Sequence, residues 1–208
     1  MPSEGDVVTT TPDMQLKPGE QPRLATGTWR VVPARSHASF AARLAGRPVR
    51  GHLPLTGEAL VTEPIEGSVV RLAVRTSAVS TRSPVLDRLL AGPGFLDARA
   101  YPEISFRSEL LVWVPTGWRA VGRLQVKNAE HELACEFGVQ LGGTRPGGAP
   151  RLVVAGSWVI DSAWVTSQRI PALGRRIAMT CSFYLEPDMR ATGHRDCDAR
   201  RIPQARSC

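Results

Sequence analysis

Between Trp29 and Leu185 most of the chain alternates apolar and polar residues, the period-two signature of strands that bury one face. Val70, Leu72 and Val74 oppose Arg71 and Arg75. Ile104, Phe106, Leu110 and Val112 oppose Arg107 and Glu109. Ala120, Gly122, Leu124 and Val126 oppose Arg119, Arg123, Gln125 and Lys127. After a turn at Asn128-Ala129, His131, Leu133, Cys135, Phe137, Val139 and Leu141 oppose Glu132, Glu136 and Gln140, which predicts a hairpin. Ala38, Phe40, Ala42 and Leu44 share one phase, and so do Leu53, Leu55, Ala59 and Val61. Later sets are Leu152 to Ile160 and Ile177 to Leu185. Trp29 to Val32 and Ser36 to Leu44 read as a strand pair broken at Pro33 or as one bent strand. Gly46 to Pro48 and the Gly/Pro-rich run 142–150 read as loops.

Ser80 to Ser108 breaks this pattern. Ser83-Pro84 reads as a helix N-cap followed by a first helical residue that needs no N–H partner. Val85, Leu86, Leu89 and Leu90 fall at helical spacing as one apolar face, Gly92-Pro93-Gly94 ends the helix, and Tyr101-Pro102 forces extended entry into the next strand. An antiparallel sheet of roughly eight one-faced strands must pack against another layer or close on itself, and a single short helix covers too little of it, so closure is preferred. Closure into an antiparallel, all-β barrel of about eight strands with a short helical cap is the expected fold. Phe95, Leu96, Leu89 and Leu90 would then sit over one end, as a lid or as a plug that seals the core.

A chain of 208 residues suits one domain, and 17 prolines with 19 glycines suit many turns. Residues 1–24 read as a disordered leader and 190–208 as a disordered basic tail, leaving 25–189 as the barrel domain. The opening MPSEGDVVTTTPD lacks a signal-peptide pattern and no apolar run approaches ~20 residues, so a cytoplasmic protein without a transmembrane segment is expected. A net charge of +7 admits an anionic partner, but Arg71, Arg75, Arg107 and Arg123 are spread over polar phases as on a solvated sheet face. No interleaving of aromatic and basic residues points to nucleic acid. Cys135 and Cys181 fall on apolar phases as small hydrophobes, and the spacing of Cys197 and Cys208 permits but does not require a disulfide.

The insertion also carries a resemblance. Ser80-Thr81-Arg82, Asp87 with its leucines, Gly94-Phe95-Leu96-Asp97 and Tyr101 to Ser108 resemble the central motif of the YceI-like family of polyisoprenoid-binding, lipocalin-like proteins. Gly27-Thr28-Trp29 with Pro33 and Ser36 to Phe40, Val49-Arg50-Gly51, Val121 to Leu124 and Ile177 to Glu186 are similar to other family segments, in order, so that the likeness spans roughly Gly27 to Pro187. The chain departs from the family at Val32, Arg35, Leu86, Asn128 and Ile160 to Val165.

From residues alone the barrel is either filled or hollow, since small inward residues such as Ala120 and Gly156 can make room for neighbouring rings. The resemblance implies a hollow apolar channel for an isoprenoid or fatty-acid-like lipid. Its expected lining is Phe40, Leu72, Ile104, Phe106, Leu124, Phe137, Trp158 and Phe183, with Leu89 and Phe95 from the insertion. It also allows a homodimer. No catalytic residue, metal site or cofactor is expected: the histidines His37, His52, His131 and His194 share no ligand spacing, and strand alternation turns Glu130 and Glu132 away from His131. Asp87 reads as a helix-turn hydrogen-bonding residue. Two other readings remain, an enzyme on an apolar substrate with His131 as base, and a ligand-free module using its basic face.

Overall fold

The computed structural model describes residues 24–144, 150–166 and 173–188. In chain order come β1 (Gly27–Val31), β2 (His37–Leu44), β3 (Arg47–Val61), β4 (Val69–Arg75), the helix α1 (Pro84–Ala91), β5 (Glu103–Val114), β6 (Gly117–Val126), β7 (Ala129–Thr144), β8 (Pro150–Asp161) and β9 (Arg176–Pro187). From β2 onward each strand pairs antiparallel with the next in sequence. The circuit closes because both β1 and β2 pair with β3 on one side and with β9 on the other.

β1 and β2 are therefore one bent stave, and the barrel has eight staves. Their bend is a 3-10 turn at Pro33–Arg35. Ser36 secures it from inside: its Oγ donates to the Val32 carbonyl at 2.7 Å and accepts from the Tyr184 N–H at 3.1 Å. Closure leaves no continuous free edge, which is how a sheet with one apolar face stays soluble without a covering layer.

Two-residue turns join β2 to β3 and β6 to β7. In the first, Ala45 (φ 51°) and Gly46 (φ 75°) both lie in the left-handed region, which matches the twist of a tight hairpin. β3 therefore already starts at Arg47, inside the loop expected at Gly46 to Pro48. In the second turn the left-handed residue is Lys127 (φ 56°).

β5 departs from strict alternation. Its pairing with β6 shifts between Ser108 and Leu110, a bulge that takes up Glu109 as an extra residue. Past the bulge the phase flips, so Leu111 is buried and Leu110 is exposed, against the expectation that Leu110 and Val112 face inward. Gly122 sits opposite, where a Cβ would lie 2.1 Å from the Arg107 carbonyl oxygen. Only glycine permits that approach.

The expected leader ended at Leu24, but Leu24 packs against the core. The rest of it, 1–23, and the tail from 189 onward lie outside the described residues, as do Cys197, Cys208 and His194. The loop expected over 142–150 is shorter than that, because β7 runs to Thr144 and β8 starts at Pro150.

Candidate ligand-binding site

The inward residues enclose a cavity of about 200 Å3. An apolar cavity of roughly 150 Å3 already stays dry and admits benzene, so this volume belongs to a hollow barrel. The lining is apolar almost throughout, and its polar members are occupied. Ser68 Oγ accepts from the Thr62 N–H at 2.9 Å, and the Glu136 carboxylate is held by Arg119 and by Thr116 Oγ1 at 2.8 Å. Cys135 and Cys181 stay protonated, because burial pushes the first thiol up to about 11 and the second to about 12. Trp118 Nε1 has no hydrogen-bond acceptor among the described residues, but its indole packs edge-on to Trp113 with centroids 5.2 Å apart.

The two ends of the barrel differ. At the end bearing the β3–β4 and β5–β6 connections, β5 outruns β4 beyond Arg107 and β7 outruns β6 beyond Phe137, and the 3-10 turn Ile65–Gly67 packs against the overhang of β5. There Trp29, Trp118, Leu111, Leu152 and Leu185, all buried, form a floor. At the opposite end two seams open in the wall. β3 pairs with β4 only from Leu55 onward, and β7 with β8 only from Glu136 onward, so Arg47 to Pro54 and Ala129 to Cys135 lack that neighbour.

The β4–β5 insertion fills the first seam. Ser80 exchanges two backbone hydrogen bonds with His52, at 2.9 and 3.0 Å, and its carbonyl would lie 2.7 Å from a Cβ on Gly51. Asp87 Oδ1 then accepts from both the N–H and the hydroxyl of Thr81, at 2.7 and 2.6 Å, tying the approach segment to α1. Ser83 caps the helix as expected. Leu86, Leu90, Phe95 and Leu96 face the cavity. The second seam is filled by Trp164, stacked on His131 with centroids 4.3 Å apart, and by buried Val165.

Of the residues expected to line the channel, Phe40, Leu72, Phe95, Ile104, Phe106, Leu124, Phe137, Trp158 and Phe183 all do so. Leu89 does not. It is 48% exposed and Val85 is 74% exposed, because the helix turns only the Leu86–Leu90 edge inward. Helical spacing groups all four residues but cannot say which half of a wide apolar stripe is covered. Sequence reasoning also missed Leu111, hidden by the bulge, and gave Trp29 and Trp118 no place at the floor. The alternation around Trp118 held that signal.

His131 lies outside the cavity lining. Its Nε2 is buried without a hydrogen-bond partner among the described residues, its ring is covered by Trp164, and Glu130 and Glu132 are exposed on the other face. Among the described residues no group of three or more His, Cys, Asp or Glu side chains is placed to hold a metal, and no helix is long and apolar enough to cross a membrane.

A sequence model described as the YceI-like domain matches residues 29–169. No curated protein matches the sequence. The fold is similar to the crystal structure of BcnA from Burkholderia cenocepacia, with a TM-score of 0.66 and 14% identity over 74% of this chain and 98% of that one. It is also similar to a polyisoprenoid binding domain from Saccharophagus degradans, implicated in plant cell wall breakdown (0.58, 12%, 77% and 98%). A third likeness is to the Campylobacter jejuni YCEI protein (0.51, 13%, 90% and 99%).

Proposed function

The chain belongs to the YceI-like family, and from that premise we propose that it binds a long-chain amphiphilic lipid, a polyisoprenoid or a fatty-acid-like molecule, and carries or buffers it without chemical change. The chain of the ligand lies along the lumen toward Trp118, and its headgroup stays at the end covered by α1. The observation that carries this reading is the lining itself, a hollow of about 200 Å3 whose polar groups are the hydrogen-bonded Ser68 and Glu136 and, at the floor, the indole N–H of Trp118. Such a site gains affinity from area removed from water, at roughly 25 cal/mol per Å2 before the costs of association. The polyisoprenoid binding domain with a similar fold supports the ligand class. Catalysis has no equivalent support, since His131, the base that the enzyme reading needs, is stacked under Trp164 and is not among the residues that line the lumen.

The test is to purify the protein without detergent and compare native mass spectra with a solvent extract. A stoichiometric long-chain species that leaves on denaturation is the expected result. An empty protein that also refuses prenyl quinones and fatty acids would overturn the proposal. Phe106→Arg places a cation among Leu72, Leu124 and the lumen, so a folded variant that still retained lipid would remove the assigned lining.

A further inference from the structure

We propose that the lidded end of the barrel docks on an anionic lipid bilayer, with the outer face of α1 set into the headgroup region. The inference rests on the lipid-binding reading above, which needs a route between lumen and membrane, and it begins from a side chain that reading leaves unused. Val85 and Leu89 stand one turn apart on α1, exposed at 74% and 48%, while Leu86 and Leu90 on the other edge close the lumen. Scattered exposed apolar residues are ordinary. This pair is set apart by its position on the element that covers the cavity and by the charge around it.

Arg82 precedes the helix and Arg88 lies within it, both exposed. Neither has an ion-pair partner among the described residues, and the nearest carboxylate in sequence, Asp87, is occupied by Thr81. At the same end Arg43, Arg50 and Arg176 surround an outer groove that also includes Pro48, Val159 and Ala178, again without ion pairs among the described residues. Arg175 pairs with Asp161 there, and Arg123 with Glu130. Toward the floor the pattern reverses: Arg30 pairs with Asp188, Arg71 with Glu58, Arg119 with Glu136 and Arg151 with Glu186. The barrel is thus electrically uneven along its axis, with these arginines paired toward the floor and several arginines unpaired among the described residues around the lid, where Glu103, Glu130 and Glu132 are the exposed carboxylates. Exposed apolar side chains flanked by uncompensated arginines are the pattern of a helix that rests in an anionic interface.

Vesicle flotation tests this with the full chain. Binding is expected to vesicles of phosphatidylcholine containing about one third phosphatidylglycerol but not to phosphatidylcholine alone, and to disappear in about 0.5 M NaCl. Reversing two arginines in R82E/R88E should lower the bound fraction by at least about tenfold, and V85S/L89S should do the same. Arg107→Glu, on the barrel wall, should change it little. Each variant is also assayed for uptake of a soluble fluorescent fatty acid without vesicles, which must be unaltered and certifies the fold. Wild type that binds vesicles but takes up no fatty acid would leave the docking face standing and remove the carrier. Wild type that takes up fatty acid but ignores anionic vesicles would overturn the docking face alone. So would self-association abolished by V85S/L89S in the absence of vesicle binding, which would assign that face to a second copy of the chain.

Discussion

A lumen that binds by apolar contact and stops at a floor makes affinity a function of chain length with a limit. The eight residue steps from Trp118 to Val126 measure its depth along β6. At about 3.3 Å per residue and a strand tilt near 40°, they give roughly 20 Å between floor and lid. Up to that span each added methylene leaves water and gains about 0.8 kcal/mol, close to fourfold in affinity. Ordering each new rotatable bond returns part of the gain and leaves about two- to threefold per carbon. The assay is displacement of a fluorescent fatty acid by saturated acids of increasing length, then by ligands of one length with different headgroups. Affinity should climb and then level off where the extended chain reaches ~20 Å, and headgroup changes should matter less than two or three carbons. Trp118→Leu lowers the floor while keeping part of its packing, and should move the plateau to longer chains. Affinity that ignored length, or followed the headgroup, would refute the argument.

The other predictions concern the lumen's thiols and the tether of the lid. Cys135 and Cys181 are raised from the ordinary 9.0 to about 11 and about 12, so both states hold their protons below pH 9 and nothing changes there. Above pH 9 the unfolded chain loses protons first, and stability should fall as pH rises through about 11, by up to ~3 kcal/mol from Cys135 alone. Urea midpoints between about pH 8 and 10.5 should show this limb, and C135V/C181V should flatten it; an unchanged limb would place its origin elsewhere. Asp87→Ala removes both hydrogen bonds to Thr81, and at about 1–3 kcal/mol for such a loss ligand dissociation should quicken by roughly tenfold in stopped-flow exchange. A dissociation rate equal to wild type would mean that the insertion does not control release.

Much of the barrel is legible in the sequence because alternation is a local property: one apolar phase per strand, confirmed by the inward positions of Leu72, Leu124, Phe137 and Phe183. The closure follows from having so many one-faced strands and only one helix. Less legible are features decided by tertiary fit. The bulge at Ser108 depends on Gly122 accepting a backbone carbonyl at contact distance, and nothing in the β5 pattern announces the change of phase that exposes Leu110. The rotation of α1 is set by what lies beneath it, so Leu89 and Leu86 are equivalent in sequence but opposite in space. The seams were also hidden. They arise from where pairing stops, which depends on the stagger of whole strands rather than on any residue's preference.

The two ends differ in what covers them, which is why one end of the barrel should yield before the other. The floor is a packed layer around Trp29 and Trp118, both almost fully buried, with the turn Ile65–Gly67 set against the overhang of β5, so opening it would empty that layer. The lid lies over a seam where β3 has no β4 neighbour, and the attachments that carry it there are two backbone hydrogen bonds at His52, the Asp87–Thr81 pair and the contacts of Leu86, Leu90, Phe95 and Leu96. Local opening takes the route with fewest cooperative contacts to lose. A ligand that occupies the lumen replaces, with its own chain, the apolar surface those four side chains cover, which lowers the cost of lifting the lid when the cavity is full. Entry into an empty barrel is therefore the slower step, and contact of Val85 and Leu89 with a bilayer would offset part of that cost where lipid is available.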